Sequence, residues 1–431
     1  MIMQKKRKKP WATFAAIALA ILTGSLLGQD GQLWGVRLYP LFDTLGAVFL
    51  NALTLVVVPL VSSSIISGVA RIGADTSFRR LGARTFGFYI GTSLLAILIG
   101  LFFVNLIHPG SAQAINPATE AEAIALANLK TTLATQDGHA FVNVLMQIIP
   151  SNILHALSYG NMLGLIFFCL LFGYAISRIE SAASTVLQKF FEGIFQAMIR
   201  ITHVIMRFLP YGVFCLVAKV FMTTGISSLR PVALFALAVM LGLCTFMFIA
   251  LPLLLRFIAK VKPFRHFKAM APALVTAFST SSSSATLPIT IECVEKRAGV
   301  SNRICSLVVP LGTSINMSGS ALYECVAAMF VAQAYGIDLS WTTQFLIVLM
   351  ALVTSIGVAG IPAASLVAIL IILRAIGLPA DGIALFVAVD RLLDMCRTTV
   401  NVFSDSCCAV LVAKSEGEHQ VLSRDPAEME G

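Results

Sequence analysis

The 431-residue chain is 58% hydrophobic and only 12% charged, and its mean hydropathy is +0.89. That balance excludes an ordinary soluble domain and predicts a polytopic membrane protein. The formal net charge of +9 falls in predicted loops on one side of the membrane, which excludes a nucleic-acid partner as the reason for it.

Apolar runs predict helices at about Trp11 to Gly28, Leu45 to Ile66, Phe86 to Ile107, Met162 to Ile176, Ile194 to Val220, Pro231 to Phe257, Leu307 to Ala334, Phe345 to Leu373 and Gly382 to Ala413. Many reach the roughly 20 residues that a bilayer requires. Lys5 to Lys9 precede the first run without a small-residue cleavage site, so this segment reads as a spanning helix with a cytoplasmic basic end rather than a removed signal. The next loop on that side should be basic, and it carries Arg71, Arg79, Arg80 and Arg84. His108 to His139, expected outside, holds only Lys130 against Glu120, Glu122 and Asp137. Lys260, Lys262, Arg265 and Lys268 return to the inside, and the polar tail after Lys414 is expected to end there, disordered. All nine cysteines lie in or beside apolar runs, without CxxC or metal spacing, and the six histidines make no metal motif either.

Two of the apolar stretches are interrupted. Ala269 to Ala277 stops at Ser279-Thr280-Ser281-Ser282-Ser283-Ser284 and resumes at Ala285-Thr286-Leu287-Pro288. Each arm is too short to cross alone, so the serine run reads as the tip of a re-entrant helical hairpin. Such a tip is tolerated where it faces protein or a wet cavity, and half-helix N-termini there favour a carboxylate. Ser355 to Pro362, with two glycines and a proline, predicts a second hairpin. A helix with a polar break follows each: Asn316 to Ser320 after the first, Asn401 to Asp405 after the second. Two such units in tandem have the organisation of an inverted repeat, which places a transport site near the bilayer midplane.

The last apolar run carries Asp390, Arg391, Asp394, Arg397, Asn401 and Asp405. At about 100° per residue all but Arg391 fall within a sector of about 80°, and Arg391 points elsewhere. An uncompensated charge in the bilayer costs about 3 kcal/mol or more, so several on one stripe imply a ligand.

In order and in spacing, TSSSSATLP (280–288), NMSGSALYE (316–324), GVAGIP (357–362) and DRLLDMCRTTVNVFSD (390–405) resemble the four signature stretches of the dicarboxylate/amino acid:cation symporter family, which includes glutamate transporters. The resemblance implies an all-α polytopic protein with eight transmembrane helices and two re-entrant hairpins. It further implies a homotrimer in the lipid bilayer of the cell membrane, both termini cytoplasmic, working as an elevator. Residues 1–258 would form the scaffold and trimerisation region with outer transport-layer helices, 259–414 the moving core, and 415–431 the tail. Arg397 would pair with the substrate's side-chain carboxylate and Asp394 with its amino group. Thr398, Asn401 and the amides or hydroxyls at Ser282 and Ser283 would hold its α-carboxylate and amine, with Ser320 in place of a threonine. Retention of both Arg397 and Asp394 implies an acidic amino acid, aspartate or glutamate, and sodium as the coupling ion; no cofactor is implied.

Gly312, Asn316, Asn401 and Asp405 match one sodium site of the family, and Ser314 with the backbone of Ser355 and Ile356 a second. Tyr89, Thr92 and Ser93 match a third, whose aspartate is here Ser318; one buried negative charge is lost, and fewer coupled ions are expected. The family's additional arginine is absent, with Ser281 and Met395 at its two known positions. Glu324 matches a proton-carrying residue of the family, against the alternative of a polar interhelical contact. A C4-dicarboxylate or neutral amino acid symporter is the alternative within the family. Outside it stand an ion channel and an intramembrane serine hydrolase, the latter lacking GxSxG and any histidine in the hairpins or ladder.

Overall fold

The computed structural model describes residues 11–28, 31–33, 36–72, 76–112, 149, 152–153, 162–179, 181–224, 229–357 and 364–423. Among these residues the regular structure is helical apart from one antiparallel pair of two-residue strands, Gln32–Leu33 and Val36–Arg37. The helices before the first interrupted segment are α1 (Trp11–Leu27), α2 (Leu38–Leu55), α3 (Val57–Ile72), α4 (Thr76–Ile107), α5 (Met162–Ile176), α6 (Ser181–Ile205), α7 (Leu209–Thr224), α8 (Leu229–Thr245) and α9 (Leu251–Phe257). Then come α10 (Pro263–Thr280), α11 (Ser283–Glu292), α12 (Asn302–Ile315), α13 (Ser318–Ala334), α14 (Trp341–Gly357), α15 (Ala364–Ala375) and α16 (Val387–Ser415).

Prolines account for breaks that hydrophobicity alone does not disclose. The run expected from Leu45 to Ile66 divides at Val56, and that from Ile194 to Val220 divides at a 3-10 turn, Met206–Phe208. In each case the second helix starts just before a proline, Pro59 or Pro210, whose missing N–H costs nothing in a first turn. Among the described residues three helical stretches are long and apolar enough to cross a membrane: 81–111, 230–257 and 302–334. The outer segment expected to carry Lys130, Glu120, Glu122 and Asp137 lies outside the described residues, as do Lys5 to Lys9.

Helices α1, α2 and α7 pack together, as do α3, α5 and α6. At the centre of the remainder stands α13, with every residue from Ser318 to Ala334 buried except Gln333. A helix apolar around its whole circumference belongs inside a bundle, and α13 is ringed by α4, α8, α14, α15 and α16. Its approach to α4 is close: a Cβ at Gly100 would lie 2.9 Å from Leu322.

The first expected hairpin is present. Helices α10 and α11 pack on each other across Ser281–Ser282, in which Ser281 takes the left-handed conformation (φ +49°) and ends α10. Extended Ser282 begins α11, its Oγ accepting from the Ala285 N–H at 3.2 Å as a helix N-cap. Helices α14 and α15 also pack together, but the joining residues 358–363 of the expected second tip lie outside the described residues.

The tail departs from expectation. Residues 416–423 are not disordered but fold back as a strap, with Val421 and Leu422 buried. The Leu422 N–H donates to the Ala298 carbonyl (2.9 Å), Arg265 Nη1 to the carbonyls of Leu422 (3.1 Å) and Ser423 (2.5 Å), and the Ser301 N–H to Glu418 Oε2 (3.1 Å). Arg84 on α4 grips Glu416 and the Ser415 carbonyl. Two apolar residues in a polar stretch suffice because backbone hydrogen bonds at Leu422 and Ser423 accompany their burial.

Candidate functional site

Helix α16 presents the polar stripe inward. Asp390, Asp394, Arg397, Thr398, Asn401 and Asp405 are all buried. Arg397 Nη2 donates to Asp390 Oδ1 (3.1 Å) and Asp394 Oδ1 (3.0 Å), and its guanidinium carbon stands 3.7 Å from the Tyr323 ring centroid. Tyr323 in turn donates its hydroxyl to Asp390 Oδ1 at 2.9 Å. The guanidinium is thus fixed on one edge by carboxylates and on one face by an aromatic ring. Its Nε and Nη1 are buried and have no acceptor among the described residues. Fully buried N–H donors of a cation are costly to leave unsatisfied, so a planar anion is the ligand this residue fits.

Arg391, expected to point elsewhere, reaches forward one turn and places Nη1 3.4 Å from Asp394 Oδ2. Its side chain is long enough to cover the 60° between them on the helix surface. Asp390, Arg391, Asp394 and Arg397 therefore form one ion-paired group of zero net charge.

Asn401 acts as a cap for α13. Its Oδ1 accepts from the N–H groups of Gly319 (2.8 Å) and Ser320 (3.3 Å), and its Nδ2 donates to Ser320 Oγ (3.1 Å). The break at Asn316–Met317 exposes these amides, which continuous helix would have consumed. Thus Asn401 and Ser320 meet, one turn of α16 from buried Arg397. Ser282 and Ser283 sit at the first turn of α11, Ser283 buried, in a hairpin packed against α16. No hydrogen bond between described residues joins them to Arg397.

One further turn along α16, Asp405 accepts from Asn316 Nδ2 at 2.9 Å, and no basic side chain pairs with it among the described residues. A Cβ on Gly312 would stand 2.6 Å from Asp405 Oδ1 and 3.0 Å from the Tyr89 hydroxyl, so the absence of a side chain there keeps oxygen atoms close together. A buried carboxylate beside carbonyl, amide and hydroxyl oxygens is chemistry for a hard monovalent cation. Ser355 and Ile356 are buried near the end of α14, yet no hydrogen bond between described residues links them to Asp405, and the side chain of Ser314 is outside the described set.

Thr92, Ser93 and Ser318 do converge, all three on Asn316 Oδ1. Ser318 Oγ donates to Asn316 Oδ1 (2.9 Å) and lies 3.2 Å from both Ser93 Oγ and Ser404 Oγ. Thr92 Oγ1 donates to Asn316 Oδ1 at 3.3 Å and sits 3.7 Å from Cys408 Sγ. Glu324, fully buried, accepts from Thr354 Oγ1 at 2.8 Å through Oε2, while Oε1 has no partner among the described residues. Sequence reasoning missed Tyr323, Ser404, Cys408 and Thr354. Tyr323 carried a signal, lying beside Glu324 and three residues after Ser320 on a helix already singled out, and so did Ser404, inside the polar break from Asn401 to Asp405.

The family model described as the sodium:dicarboxylate symporter family matches residues 11–415. The chain belongs to that family. Symporters similar to it include the proton/sodium-glutamate symport protein of Bacillus caldotenax, 34% identical over 409 residues that cover 95% of this chain and 94% of the relative. The proton/glutamate-aspartate symporter of Escherichia coli (strain K12) is 34% identical, covering 94% and 92%. Excitatory amino acid transporter 3 of Mus musculus is 34% identical, covering 94% and 84%. The sodium:dicarboxylate symporters are transporters rather than enzymes, and a membrane protein is what the apolar helices require.

Proposed function

We propose that the chain is a secondary active symporter that couples inward sodium movement to uptake of an acidic amino acid, glutamate or aspartate. The observation that carries this is the pairing, on one buried face of α16, of an arginine with unpartnered Nε and Nη1 and an aspartate one turn away. The arginine takes the side-chain carboxylate, and Asp394 takes the ammonium. The first turn of α11 at Ser282 and Ser283, with Thr398, Asn401 and Ser320, takes the rest of the amino acid. A C4-dicarboxylate would leave Asp394 facing an anion, and a neutral amino acid would leave Arg397 without a partner.

Sodium is held first at Asp405, Asn316, Gly312 and Asn401. Binding there orders Asn316 and Asn401, which bond Ser318 and Ser320 in the first turn of α13, so that turn lies between the ion and the amino acid. A second ion sits at Ser314, Ser355 and Ile356 once the second hairpin closes. The hydroxyl cluster of Thr92, Ser93, Ser318 and Ser404 is neutral and satisfies its own hydrogen bonds, which supports coupling without the third sodium. Glu324, with one oxygen unpartnered, supports a proton as a further coupling ion. Eight spanning helices, two hairpins, cytoplasmic termini in the cell membrane, a homotrimer in lipid and an elevator movement of residues 259–414 against 1–258 complete the reading. Purified protein in liposomes should accumulate labelled glutamate or aspartate under an inward sodium gradient; accumulation indifferent to sodium, or a preference for serine or succinate, would overturn it.

A further inference from the structure

Among the described residues two arginines hold Asp394, and they differ in their freedom to leave. Arg397 takes Oδ1 from a side chain 1% exposed, also bound to Asp390 and stacked on Tyr323. Arg391 takes Oδ2 from a side chain 20% exposed, and beside it on α16 Leu392 is 52% exposed. Arg391 makes no other hydrogen bond or ion pair among the described residues.

We propose that Arg391 is a placeholder for the substrate's ammonium group: it neutralises Asp394 Oδ2 in the substrate-free site and yields that oxygen when the amino acid binds. The inference rests on the acidic amino acid reading above. A carboxylate inside an apolar bundle needs a cation at all times, since its desolvation is otherwise uncompensated. Arg397 cannot be the one released, because a guanidinium leaving two carboxylates and a ring has no water to enter. Arg391 can swing along the open flank of α16 and keep its charge hydrated, as long basic side chains do. Exchange of one cation for another keeps Asp394 Oδ2 paired, so it selects ligands that bring their own ammonium. Arg391 is accordingly a positioning and specificity residue acting through Asp394.

The test compares wild type with Arg391→Gln and Arg391→Lys, using L-aspartate and succinate as probes in sodium. Removing the competing cation should lower the Kd and KM for aspartate by about two- to fivefold, the scale of a half-exposed ion pair, with little change in kcat. Inhibition of uptake by succinate, which has no ammonium, should be unchanged, absent inhibition in both proteins counting as unchanged, or weaker. Arg391→Lys should retain wild-type values, which a purely structural role of the planar fork would not produce. Aspartate affinity that is unaltered or weaker in Arg391→Gln, an equal strengthening for succinate, or a lysine variant that behaves like glutamine would overturn the role of Arg391. Wild-type protein that binds no acidic amino acid overturns the substrate reading instead.

Discussion

Replacing Arg397 by cysteine perturbs the site at its most constrained point. The side chain is fully buried, Nη2 bonds Asp390 and Asp394 at 3.1 and 3.0 Å, and Nε and Nη1 are the donors left for a ligand. Each charge-assisted hydrogen bond contributes about 1.5–3 kcal/mol, so two to a substrate carboxylate contribute roughly 3–6 kcal/mol. Their loss should reduce affinity for glutamate about 10²- to 10⁴-fold. The variant also strands two buried carboxylates, at a cost to the fold of about 3–5 kcal/mol. Arg391 offsets part of that at Asp394. With Asp394 retained and the acidic side chain's partner gone, a neutral amino acid such as serine should become the better substrate. The assay is uptake of labelled glutamate and serine into liposomes under a sodium gradient, with thermal unfolding of the purified variant to confirm that it is folded. Arg397→Lys, which keeps the charge without the planar fork, should fall between the two. Glutamate uptake within threefold of wild type in the cysteine variant would refute the assignment.

Ser318→Asp puts a carboxylate among Asn316, Ser93 and Ser404, and the apparent aspartate affinity should then depend on sodium concentration more steeply, by about one ion; an unchanged slope counts against the cluster's standing where a cation would. Gly312→Ala drives a methyl group to 2.6 Å from Asp405 Oδ1, so sodium affinity should fall at least about tenfold while detergent-solubilised protein remains folded, as checked by sodium titration of substrate binding. Glu324→Gln should preserve sodium-driven uptake and flatten its dependence on external pH; a pH profile identical to wild type would leave Glu324 as an interhelical contact with Thr354.

Much of the site was legible because membrane burial makes polar residues conspicuous. The stripe from Asp390 to Asp405 is read from helical spacing alone, and α16 does turn it inward. The serine run reads as a hairpin tip for the same reason, and its residues cap both arms. What escaped was set by side-chain reach or by partners distant in the chain. Arg391 lies off the stripe by angle, yet an arginine spans that gap. Tyr323 meets Arg397 only because the break at Asn316 aims α13 at α16. Breaks at Val56 and Met206 were hidden inside uniformly apolar runs, where the proline rule outweighs hydrophobicity. The strap could not be foreseen either, since Val421 and Leu422 are two apolar residues in a polar tail, and their sites at Ala298 and Arg265 are more than 120 residues away.

That strap bears on how the first hairpin can behave. Its tip is closed by Ser281, Ser282 and Thr286, and its base is stitched to α12 and α16 by Arg265, Ala298 and the chain following α16. His266 Nε2 lies 2.9 Å from Ser406 Oγ, and Phe267 stacks on Phe403 at 4.2 Å, which fastens the first turns of α10 as well. A hairpin whose base and first turns are bonded to α16 and to the strap after it, and whose tip is closed on itself, is braced as one piece with α16.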